Sequence, residues 1–87
     1  MNKQSRFVIV GLGLLGGAYA LGLRKAGFEH VAAIDLKEEA LAFAKEKNYI
    51  EEGRTEGFEA LLARADYVIF SLYPTAFIQW VEKYGAL

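Results

Sequence analysis

The sequence predicts an α/β fold, a parallel sheet with helices on both faces. Three observations predict it. Apolar runs of strand length alternate along the chain with longer stretches of helical spacing. Those runs are continuous instead of alternating with polar residues, as expected of strands buried on both sides. The first of them, Phe7-Val8-Ile9-Val10, leads directly into Gly11-Leu12-Gly13-Leu14-Leu15-Gly16-Gly17. A length of 87 residues bounds the chain to one small domain, and a hydrophobic fraction of 54% supplies a core and excludes disorder.

The elements follow in order. A strand is expected over residues 7–11, where β-branched and aromatic residues run together and glycine ends them. A helix over 14–26 follows, closed near Gly27. Val31-Ala32-Ala33-Ile34 open a second strand, over 31–35, which finishes on Asp35. In the helix over 38–47, Lys37-Glu38-Glu39 and Lys45-Glu46-Lys47 read as a solvated face. A short strand near 50–55 is poorly marked. The helix over 58–65 puts Phe58, Leu61, Leu62 and Ala65 on one face. A strand over 67–72 and a helix over about 76–84 complete the set, with the only proline, Pro74, at the corner between them. Phe77, Trp80, Val81 and Tyr84 share a face of that last helix, and both apolar stripes read as core.

Gly11-x-Gly13-x-x-Gly16 sits between a strand and a helix, and Asp35 lies about 20 residues further on, at the end of the next strand. This is the pattern of a dinucleotide-binding βαβ unit of Rossmann type. Gly11 permits the tight turn out of the strand, Gly13 lets the backbone approach a pyrophosphate, and Gly16 lets helix and strand pack closely. Close packing also accounts for Gly17 and Gly22. The helix offers free N–H groups and its positive dipole end to the pyrophosphate, with Leu12, Leu14 and Leu15 filling the loop between the glycines. The Asp35 carboxylate suits the hydroxyls of an adenosine ribose and repels a 2′-phosphate, so NAD is expected over NADP. Leu36 and Lys37 belong to the same wall of the site, and Lys37 softens that repulsion.

Complete domains of this type carry about six strands. The sequence ends at Tyr84-Gly85-Ala86-Leu87, where a helix C-cap would hand over to another strand, so 1–87 reads as a partial domain with the later strands missing. No internal repeat, linker or low-complexity tract interrupts it.

Charge and composition exclude several function classes. Ten basic and eleven acidic residues leave a formal net charge of -1, with no basic field for nucleic acid and no polybasic face for a membrane. Lys3 and Arg6 ahead of an uncharged stretch containing Ala18-Tyr19-Ala20 mimic a secretory signal, but that stretch is too rich in glycine for a helical signal core. It is also short of the roughly 20 predominantly apolar residues that cross a bilayer. Without cysteine there is no disulfide, thiolate nucleophile or cysteine-ligated zinc, and the default location is cytoplasmic.

Outside the glycine loop the candidates are few. His30, the only histidine, precedes the second strand at the amino end of the sheet, whereas ligands of open α/β sheets bind beyond the carboxyl ends, so it reads as a solvent-exposed loop residue. Glu51, Glu52, Glu56 and Glu59 fall in a loop and a first helical turn, where the dipole favours acids. Ser71-Leu72-Tyr73-Pro74 lies at the carboxyl end of the strand next to the first, on the side toward which a nicotinamide extends. Ser71, Leu72, Tyr73 and Pro74 are therefore assigned to the cofactor site. Tyr73 has no base or lysine beside it that would make it a proton donor. No residue is assigned a catalytic or metal-binding role.

Gly11-Leu12-Gly13-Leu14-Leu15-Gly16-Gly17, Ile34-Asp35, Ala40-Leu41-Ala42-Phe43-Ala44 and the 67–72 strand before Pro74 together resemble the start of prephenate dehydrogenase. The doubled Gly16-Gly17 after an aliphatic pair is the most discriminating piece, and Ala18 departs from the serine many members carry. The resemblance covers nearly the whole chain but only the family's amino-terminal cofactor domain. It implies oxidative decarboxylation of prephenate to 4-hydroxyphenylpyruvate in tyrosine biosynthesis, with hydride passing to a nicotinamide dinucleotide; arogenate is the alternative substrate. It further implies a catalytic histidine and a substrate-binding arginine beyond Leu87, so no residue here inherits those roles. A carboxyl-terminal helical domain that completes the active site and makes the homodimer is implied as well. The chain alone is then expected to be inactive. Two other readings of the same loop are another NAD(P)-dependent dehydrogenase or reductase and a non-catalytic nucleotide sensor.

Overall fold

The computed structural model describes residues 2–71, 82 and 83, with the side chains of all of these except Leu14 and Leu15. Its elements are β1 (Arg6–Val10), α1 (Gly13–Lys25), β2 (His30–Ile34), α2 (Glu38–Glu46), β3 (Glu52–Arg54), α3 (Glu59–Arg64) and β4 (Tyr67–Phe70). The strands form one parallel sheet in the order β3-β2-β1-β4. Parallel neighbours need crossovers, and each helix supplies one. The α/β expectation holds. The helix expected over 76–84, with its stripe of Phe77, Trp80, Val81 and Tyr84, lies outside the described residues except at Glu82 and Lys83, which are helical.

Burial on both faces explains why the strands read as unbroken apolar runs. Successive β1 side chains point to opposite sides, so Ile9 joins Val31 and Ala33 of β2 in a core closed by Ala20 of α1 and by Leu41 and Ala44 of α2. Val8 and Val10 join Ala32 and Ile34 in a second core, closed by Phe58 and Leu61 beside and within α3. Ile9 is fully buried. The register pairs Arg6 with His30 and Val10 with Ile34 on one side of β1, and Phe7 with Tyr67 and Val10 with Phe70 on the other.

Both long helices end in the same way. Phe28 N–H reaches back to the Leu23 carbonyl after α1, and Tyr49 N–H to the Ala44 carbonyl after α2. These six-to-one closures satisfy carbonyls that a helix end leaves free. Asn48 takes the left-handed position after α2, with φ 64°.

His30 corrects one sequence expectation. It is the first residue of β2, half-buried, with Nδ1 2.8 Å from Glu51 Oε2 and Nε2 3.0 Å from Gln4 Oε1. Pairing with Arg6 extends the strand one residue beyond its apolar run and draws the ring out of the loop. Glu52 likewise opens β3 and does not lie in a loop; Glu59 sits in the first turn of α3 as expected.

Among the described residues no helix is long and apolar enough to cross a membrane.

Candidate functional site

β1 is flanked by β2, reached through the first crossover, and by β4, reached after the chain has crossed to the opposite side. The carboxyl end of β1 is thus the point where strand order reverses, the place at which open α/β sheets bind ligands. The glycine loop occupies it.

The loop is built from backbone bonds first. Gly11 N–H donates to the Ile34 carbonyl at 2.8 Å, extending the β1–β2 ladder by one rung. Gly11 then turns with φ 89°, in the left-handed region where only glycine is at ease. Leu12 N–H donates to Asp35 Oδ2 at 2.8 Å, and Lys37 N–H to Asp35 Oδ1 at 2.9 Å. On the other flank Ser71 N–H donates to the Val10 carbonyl at 2.9 Å, and the Ser71 hydroxyl donates to the Gly11 carbonyl. Residues from the ends of β1, β2 and β4 therefore meet on the loop.

Gly16 and Gly13 differ in what surrounds them. A Cβ on Gly16 would run into the Gly11 carbonyl oxygen and come within 2.7 Å of Ser71 Oγ, so helix and strand pack closely there and nothing larger fits. A Cβ on Gly13, where φ is 30°, would meet nothing within 4 Å. Backbone is exposed there to anything approaching the N-terminus of α1, which carries no acid in its first turn and no side-chain cap. Gly17 and Gly22 correct a sequence expectation. A Cβ at either would also meet nothing within 4 Å, because both positions turn away from the strand, so close packing does not require them.

Gly11, Leu12, Gly13, Gly16, Asp35 and Ser71 are brought together as the sequence reading grouped them. Leu14 and Leu15 lie in the first turn of α1. Leu36 is 90% exposed beyond β2, next to the exposed Lys37. Leu72, Tyr73 and Pro74 lie outside the described residues. The sequence did not reveal that Ser71 spends both its donors within the chain, or that Asp35 reaches back to Leu12. The only available signal for either was its position just past a strand end.

No family model and no curated protein matches this chain. Among solved structures it is similar to prephenate dehydrogenase from A. aeolicus, crystallised in complex with hydroxyphenyl propionate and NAD+. The TM-score is 0.80 at 28% identity, over 92% of this chain. The chain spans 28% of the length of that protein. Over nearly all of its own length, then, this chain is similar in structure to the amino-terminal region of prephenate dehydrogenase, the family that its glycine motif resembles.

Proposed function

We propose that this chain is the cofactor-binding part of a prephenate dehydrogenase, an NAD-dependent enzyme of the cytoplasm that converts prephenate to 4-hydroxyphenylpyruvate. One observation carries the reading: an uncrowded Gly13 opens α1 directly after Leu12, whose N–H is bound by the Asp35 carboxylate, at the reversal of strand order. The residues fit a nicotinamide dinucleotide. Gly11 to Gly16 and the first turn of α1 would hold the pyrophosphate, Asp35 the adenosine ribose, and Leu36 and Lys37 the outer wall. When bound, the cofactor supplies the hydride acceptor. The hydroxyphenyl propionate in the similar structure is a ring-and-carboxylate compound of the same type as 4-hydroxyphenylpyruvate, which supports the substrate class. Prephenate, arogenate as its alternative, and a dimer-forming second domain belong to this proposal as properties of a full-length enzyme that would contain this partial cofactor domain.

Calorimetric titration of both cofactors into the wild type and Asp35→Ala tests it. NAD should bind the wild type more tightly than NADP, because a 2′-phosphate would face the Asp35 carboxylate, and the preference should shrink in the variant. Tighter NADP binding by the wild type would overturn the assignment of Asp35.

A further inference from the structure

The two bonds accepted by Asp35 are of different kinds. Oδ1 takes the N–H of Lys37, two residues on, the local turn that aspartate commonly makes with its own backbone. Oδ2 takes the N–H of Leu12, 23 residues earlier in the chain and within the glycine loop. Leu12 is 3% exposed and is the residue from which α1 starts, with no side-chain cap from its own segment. A buried N–H left without a partner is costly, so this bond fixes where the loop lies.

We propose that Asp35 is a positioning residue for the diphosphate-binding loop, in addition to reading the adenosine ribose. The inference rests on the dinucleotide reading and deepens it. The two roles are compatible, because an ionised carboxylate offers about four acceptor sites and the backbone takes two of them. Charge works against the positioning role, since a carboxylate near a diphosphate repels it. Any help that Asp35 gives to diphosphate binding must therefore come through the geometry of the loop.

That opposition yields a clean test. 2′,3′-Dideoxy-ADP carries the diphosphate but no ribose hydroxyls for Asp35 to read. Its affinity is measured for the 87-residue wild type, Asp35→Asn, which keeps an acceptor oxygen without the charge, and Asp35→Ala, which keeps neither. Amide exchange at Leu12 is followed in the same proteins, with the β1 amides as the control for folding. The bond is of ordinary strength, so dideoxy-ADP should bind Asp35→Ala about fivefold more weakly than Asp35→Asn, and Leu12 should exchange at least about fivefold faster in Asp35→Ala than in the wild type. Equal dideoxy-ADP affinity in the two variants, or unchanged Leu12 exchange, overturns the proposal. A wild type that binds neither ADP nor NAD overturns the dinucleotide reading and this proposal with it, an outcome told apart by the wild-type titrations alone.

Discussion

Neighbouring glycines of the loop and the first turns of α1 have separate consequences when replaced. Gly13→Val places a branched side chain where nothing crowds it but a pyrophosphate would approach, at a φ that suits glycine. The chain should still fold, weakened by about 1–2 kcal/mol of left-handed backbone strain, and should lose dinucleotide binding. Circular dichroism with cofactor titration checks both halves, and unchanged affinity would reduce the loop to a packing device. Gly16→Ala drives a methyl into the Gly11 carbonyl and the Ser71 hydroxyl, and backbone cannot swing aside as a side chain can. It should cost about 1–3 kcal/mol in urea unfolding. Gly17→Ala, inside α1 with open space around the new methyl, should instead stabilise by about 0.5–1 kcal/mol. The motif spacing separated Gly13 from Gly16 but not Gly16 from Gly17, because whether a helical glycine faces a strand or solvent depends on how the helix is rotated on the sheet.

Among the elements, α1 and α2 are tied together at their ends by one side chain. Arg24 donates from Nη1 to the Glu29 carbonyl at 2.6 Å, from Nη2 to Asn48 Oδ1 at 2.9 Å and from Nε to the Asn48 carbonyl at 3.2 Å. Asn48 thus both adopts the left-handed closure of α2 and receives the fork from α1. Asn48→Ala should destabilise by about 1–2 kcal/mol, losing the side-chain bond and straining the closure, whereas Asn48→Gly loses only the bond and should cost less. Urea midpoints of the two variants give the order; equal costs would place the stabilisation in the arginine contact alone. The elements themselves were largely legible, since β1, β2 and β4 announce themselves by apolar runs and α3 by its stripe of Phe58, Leu61 and Leu62. β3 was faint for a physical reason. Glu52-Gly53-Arg54 is a three-residue edge strand without an apolar side chain, and Gly53 packs under Leu41, where an added Cβ would come within 3.0 Å. The ring of His30 between Gln4 and Glu51 was illegible, because it joins three segments distant in sequence.

At the scale of the molecule, the sheet separates two ends. The glycine loop, Asp35 and Ser71 lie at the carboxyl ends of the strands, and His30 opens β2 at the other end, roughly 16 Å away along five residues of strand. Hydride transfer needs a substrate held against the nicotinamide and a base beside it, and the described residues place no histidine there. The 87-residue chain should therefore show no turnover of prephenate or arogenate with saturating NAD, followed as reduced-nicotinamide absorbance. Turnover above the enzyme-free control that survives His30→Ala would return attention to Tyr73. The contact of Ser71 with Gly11 also bears on the order of events as the chain folds. It joins residues 60 apart, so the glycine loop and α1 can form early from local sequence while the flank supplied by Ser71 waits for β4 to find β1. Ligand-binding competence should accordingly arise late in refolding, in step with the docking of β4 and not with the first growth of helix.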